Sequence, residues 1–128
     1  MSAMSDFLEL EVLDHVLGTG SYTMPTTVRI GLSTGSFGDD NSGTELSGSG
    51  YARQAITFAA ASSGSAATNA TVTFPTATGS WGAVSHWAIF DAASGGNLLI
   101  HGVFATPKTI TSGDVLRINS GDLTVTAA

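Results

Sequence analysis

Val84-Ser85-His86-Trp87-Ala88-Ile89-Phe90-Asp91, then Ala92-Ala93-Ser94-Gly95-Gly96-Asn97, then Leu98-Leu99-Ile100-His101-Gly102-Val103-Phe104, is the stretch that decides the fold. The first run alternates. Val84, His86, Ala88 and Phe90 fall on one side, and Ser85, Trp87, Ile89 and Asp91 on the other. Both sides are largely apolar, as in a strand covered on both faces. Ser94-Gly95-Gly96-Asn97 is a good hairpin connection, because glycine accepts positive φ at low cost. Residues 97–104 then make the return strand.

Further toward the C-terminus, residues 106–110 read as an edge strand, since Pro107 cannot donate to a central ladder. Residues 114–118 and 123–126 are two more short strands, parted by Asn119-Ser120-Gly121-Asp122. Toward the N-terminus, residues 70–74 form a short strand ended by Pro75, and residues 62–67 a turn of small residues. Residues 51–59 alternate, residues 34–50 are a polar loop rich in Gly, Ser and Asp, and residues 27–33 place Val28, Ile30 and Leu32 on one face. Seven or eight short strands with turns between them predict a mainly β fold, an antiparallel, jelly-roll-like β-sandwich. Residues 1–128 are expected to form one domain.

Only one segment has helical period. Phe7, Leu10, Leu13 and Leu17 recur at three- and four-residue spacing. Ser5 is the expected N-cap, Asp6 and Glu9 favour the first turn, and Gly18 suits the position after the last turn. The helix is therefore expected over residues 5–17. Leu8, Val12 and Val16 widen its stripe, so it is expected to dock along most of its length.

Composition narrows the function. The 128 residues hold no cysteine, which excludes disulfides and thiolate chemistry. Charged residues make up 11% and hydrophobic ones 42%, a balance that favours folding over disorder. The net charge is −6, and the four bases, Arg29, Arg53, Lys108 and Arg117, are scattered along the chain. Nucleic acid and anionic membranes are thus not expected partners. No apolar run approaches the roughly 20 residues that span a bilayer, and residues 1–11 carry acids where a signal peptide has bases.

Candidate sites are weak. Asp39-Asp40-Asn41-Ser42-Gly43-Thr44-Glu45 gathers oxygen ligands like a calcium loop but lacks the EF-hand spacing, and it also reads as a solvated turn. His15, His86 and His101 match no zinc motif, although the last two lie on opposite arms of the hairpin. No Gly-x-Ser-x-Gly elbow or phosphate-binding glycine pattern is present; Gly48-Ser49-Gly50 and Gly18-Thr19-Gly20 read as loop glycines. Trp81, Trp87, Phe90 and Phe104 suit either a sugar platform or a core. Asn69-Ala70-Thr71 is a glycosylation sequon, which carries no meaning in a chain that stays in a cytoplasm without that modification. No catalytic, cofactor-binding or metal-binding residue is expected.

Several blocks in order carry a resemblance. They are Leu13-Asp14-His15-Val16-Leu17-Gly18 with Tyr22-Thr23-Met24-Pro25, then Gly50-Tyr51-Ala52-Arg53, Val72-Thr73-Phe74-Pro75 and Gly79-Ser80-Trp81-Gly82. His86-Trp87-Ala88-Ile89-Phe90-Asp91-Ala92-Ala93 follows, with Gly95-Gly96-Asn97-Leu98-Leu99. Lys108-Thr109-Ile110, Ser112-Gly113-Asp114 and Gly121-Asp122-Leu123-Thr124-Val125-Thr126 complete the set. Together they resemble the small tailed-phage virion proteins labelled tail fibre or decoration proteins. The resemblance implies a non-enzymatic virion protein assembled in the host cytoplasm. The economical expectation is a capsid decoration (cement) protein that binds the major capsid protein and itself, as a trimer or dimer. A tail-fibre role and a carbohydrate-binding module with exposed Trp81 or Trp87 are the alternatives.

Overall fold

The computed structural model describes residues 2–127. Its elements are β1 (Ser2–Met4), α1 (Asp6–Val16), β2 (Val28–Ser33), β3 (Gln54–Ile56) and β4 (Ser65–Ala67). β5 (Val72–Thr73), β6 (Gly82–Phe90), β7 (Leu98–Ile110), β8 (Arg117–Ile118) and β9 (Thr124–Thr126) follow. Five strands form an antiparallel sheet in the order β1-β7-β6-β2-β3. Two short ladders, β4 with β9 and β5 with β8, supply the opposing layer. Val72 and Ile118 from one ladder share a buried cluster with Ile30, Leu32, Trp87 and Ile89 of the large sheet, so the arrangement is sandwich-like. The mainly β fold with one N-terminal helix is as the pattern predicts.

The hairpin is the centre of the sheet, and its turn places Gly95 at φ 61° and Gly96 at φ 71°, where side chains are disfavoured. Two details differ from the sequence reading. Residues 97–104 and 106–110 are one strand, β7, and not two. Val84 lies opposite Lys108 and His86 opposite Val103, so Ser85 alone faces residues 104–107. Pro107 sits in this bulge, where no ladder donor is required. The bulge also shifts the phase of β6. Val84 therefore joins Trp87 and Ile89 in the main core and leaves the face of Ala88 and Phe90.

That other face is closed by a smaller cluster of Phe37, Ala88, Phe90 and Leu98. The Phe37 and Phe90 rings meet edge-on, with centroids 5.8 Å apart. Phe37 comes from the polar 34–50 loop, which is folded down by Leu46 N–H donating to Leu32 O (2.9 Å) and by Gly43 N–H donating to Phe37 O (2.8 Å). A Cβ on Gly43 would stand 2.1 Å from Ser36 O, so this close approach requires glycine.

Other short elements depart from expectation. Within 51–59 only Gln54–Ile56 pairs as a strand, with an isolated bridge from Phe58 to Thr68. The expected turn at 62–67 contributes β4, whose Ser65 is registered with Thr126. β1 has no alternation long enough to announce it, and its ladder partner, Ile100–Gly102, lies far along the chain. Its outer side meets the C-terminal strand: Thr126 N–H donates to Ser2 Oγ (2.9 Å), and Ser2 Oγ donates to Thr126 O (3.3 Å).

The helix forms where predicted. Buried Ser5 caps it, with its hydroxyl accepting from Leu8 N–H (3.2 Å) and donating to Leu98 O; Gly18 follows at φ 80°. Its docking is the main correction. Phe7 and Leu8 pack on the core, but Leu10, Leu13, Val16 and Leu17 are 64%, 54%, 72% and 70% exposed. The helix contacts β7 and β1, and its outer stripe is left uncovered.

Candidate interaction surfaces

The most organised polar site surrounds Arg53. Its Nε and Nη2 donate to the two oxygens of Glu45 at 2.9 and 2.8 Å, a forked pair. Its Nη1 donates to Ala92 O (2.9 Å) and Gly95 O (2.8 Å). The guanidinium carbon stands 3.5 Å from the centre of the Phe90 ring. Gly31 on β2 makes the room: a Cβ there would be 2.7 Å from Glu45 Oε2 and 2.9 Å from Phe90 Cε2. Tyr51 donates its hydroxyl to Glu45 and accepts from Leu32 N–H (2.9 Å). Burial, then the neighbouring Glu45 carboxylate, push the Tyr51 phenol far above its ordinary range.

A shallow cleft of about 400 Å³ lies beside this group, lined in part by Glu45, Tyr51, Arg53 and Gly95. Four of the five guanidinium N–H groups are already engaged, so Arg53 has little left for an anion. The site is a clamp that ties the 91–97 turn to the 45–53 segment. Sequence reasoning missed it by reading Glu45 as a possible calcium ligand and Arg53 as a scattered base. The available signal was a glycine inside β2 together with two opposite charges in a chain poor in charge.

The other acids of the calcium-like loop part ways. Asp39 Oδ1 lies 2.6 Å from His101 Nε2, and Asp40 Oδ1 accepts from Ser42 N–H (3.1 Å). Hydrogen bonding to Ser42 holds the Asp40 carboxyl below its usual range. His15 Nδ1, on α1, accepts from Tyr22 N–H (3.2 Å). His86 Nδ1 is 2.7 Å from Ser85 Oγ, and on the ladder His101 faces Ala88 while His86 faces Val103. Among the described residues no three His, Asp or Glu side chains gather where a metal ion could bind. Asn69 Oδ1 accepts from the Thr57 hydroxyl.

The aromatic candidates are core. Trp81 is 6% and Trp87 2% exposed, and Trp81 Nε1 donates to Ser49 O (2.9 Å). Trp81 meets Tyr51 edge-on at 5.6 Å. Phe90 is buried under Arg53, and only Phe104 is half open, beside Lys108, Arg117 and Asp122 at a cleft of about 240 Å³. An indole platform for sugars therefore does not exist on this surface. Among the described residues, exposed large apolar side chains gather on the outer side of α1, with Met24, 80% exposed, on the segment that follows it; Val103 and Val115 are exposed elsewhere. No helix among the described residues is long and apolar enough to cross a membrane.

Residues 3–126 match the model of the podophage GP4 fiber I protein gp80 family. The chain belongs to that family. The match covers all the described elements except the outermost residues, so the hairpin, the Arg53 clamp and α1 all lie within it. The chain is a tailed-phage virion structural protein. No curated protein matches it.

Proposed function

We propose that the chain is a non-catalytic structural subunit of a podophage tail-fibre assembly. The match of residues 3–126 to a fibre-protein family carries this reading. The charged side chains agree with it. Arg53, Glu45, Asp39 and His101 are spent on internal contacts, and among the described residues every buried side-chain N or O atom has a partner. The fibre description weighs against the capsid-cement role expected from composition, which needs the major capsid protein as partner and has only low charge and small side chains behind it. Association of copies into a dimer or trimer belongs to the proposal, because fibres are built from repeated contacts. Separating particles into heads and tails and blotting each fraction tests the position. Recovery with the tails, at few copies per particle, is the expected result. Recovery on the heads at high copy number would return the cement role.

A further inference from the structure

The open side of α1 has a defined chemistry. Leu10, Leu13 and Leu17 follow the three-then-four spacing of a heptad seam, and each is more than half exposed. Val16 borders the seam on the same helix, and Met24 adds a further exposed apolar side chain on the following segment. Single exposed apolar residues need no explanation, but a contiguous stripe of leucines marks a contact surface. At 100° per residue, Glu9 and Asp14 flank this stripe and Asp6 lies at its head. No lysine or arginine precedes Arg29. The carbonyl end of the helix adds partial negative charge beside Leu17.

We propose that this stripe is the docking face for an amphipathic segment of a different protein of the particle, one whose apolar residues are bordered by Lys or Arg. Charge complementarity selects that occupant. A second copy of the helix, parallel or antiparallel, would set carboxylates against carboxylates with no cation from the first 28 residues to separate them. An anionic bilayer is disfavoured for the same reason. The proposal rests on the fibre reading only for where the partner is found.

The chain has no cysteine, so Leu13→Cys provides a single thiol for a benzophenone label, carried into complete particles. Irradiation is expected to join Leu13→Cys to another virion protein, at a peptide that carries Lys or Arg among apolar residues. A link to a second copy of this chain, a link to an acidic segment, or no link overturns the proposal. Glu9→Lys is the second arm. Its incorporation is expected to fall about tenfold, as when a rim charge is reversed, with Glu9→Gln intermediate. Wild-type incorporation of Glu9→Lys overturns the electrostatic part, provided that circular dichroism shows both variants folded. If the chain is found on heads but the link to a basic-edged segment forms, the fibre position fails while the docking face stands.

Discussion

The β6–β7 hairpin and helix α1 both present large apolar residues at regular spacing, yet one is enclosed and the other is half bare. Trp87, Ile89 and Leu99 are covered on one face of the hairpin, and Ala88, Phe90 and Leu98 on the other. On α1 only Phe7 and Leu8 pack on the core, and no side chain of the helix is fully buried. Periodicity reports which element forms and which face is apolar. Whether that face is covered depends on what the rest of the chain places against it. A leucine in the hairpin is a stability residue, whereas a leucine at 10, 13 or 17 is a surface feature.

The strongest way to break this contrast is Trp87→Ala. Removing a buried indole should cost about 3–5 kcal/mol, a large share of the total for a domain of this size. Denaturant unfolding measures it, and a loss below about 1 kcal/mol would mean that the hairpin is not the locked region. Arg53→Met sharpens the picture from the polar side. It leaves two turn carbonyls without their side-chain donor and the Glu45 carboxylate with only the Tyr51 hydroxyl, an expected cost of about 2–3 kcal/mol, reduced because Glu45 is partly open to water. Amide exchange should quicken in residues 91–97 and hardly change in α1; equal quickening in both would dissolve the clamp. Leu13→Ser tests the bare half of the comparison. Its stability change should stay within about 0.5 kcal/mol, and a larger loss would show that the stripe is covered by this chain itself.

The smallest expected effect is on pH. Asp40 and Asp114 have their carboxyls held below the ordinary range, Asp114 first by the Thr111 backbone N–H and then by its hydroxyl. A lowered folded pKa stabilises above the unfolded value and loses that contribution as pH falls through the folded one. The melting temperature should thus decline below about pH 4, and Asp114→Asn should flatten the decline. An unchanged slope in that variant would remove Asp114 from the acid response.

Much of the fold was legible in the residues. The hairpin announced itself through two-sided alternation and the Gly95-Gly96 turn, and α1 through Ser5, its leucine spacing and Gly18. Long strands and helices carry enough repeats of their period to be read. β5, β8 and β9 fall inside the short runs expected at 70–74, 114–118 and 123–126, but the three residues of β1 and of β4 carry no readable period, because their pairing is decided by tertiary contact. The bulge at Ser85 was hidden for a related reason: a change of phase leaves each flanking run locally regular. The clamp was hidden because Glu45 and Arg53 meet only when the 34–50 loop folds down on Phe37.

The bond between Ser2 and Thr126 has a kinetic consequence. These residues stand 124 positions apart, whereas Phe90 and Leu98 in the hairpin are separated by one turn. Closing the longer loop forfeits more chain entropy before any contact compensates for it, so local pairs form early and distant ones late. β1 is therefore expected to zip onto β7 after the hairpin is in place, carrying α1 with it. Ala3→Gly should accelerate unfolding while leaving the folding rate nearly unchanged, and a slowed folding arm would put β1 in the nucleus instead. On this order of events the leucine stripe of α1 is brought to its position on the body by the last strand to pair.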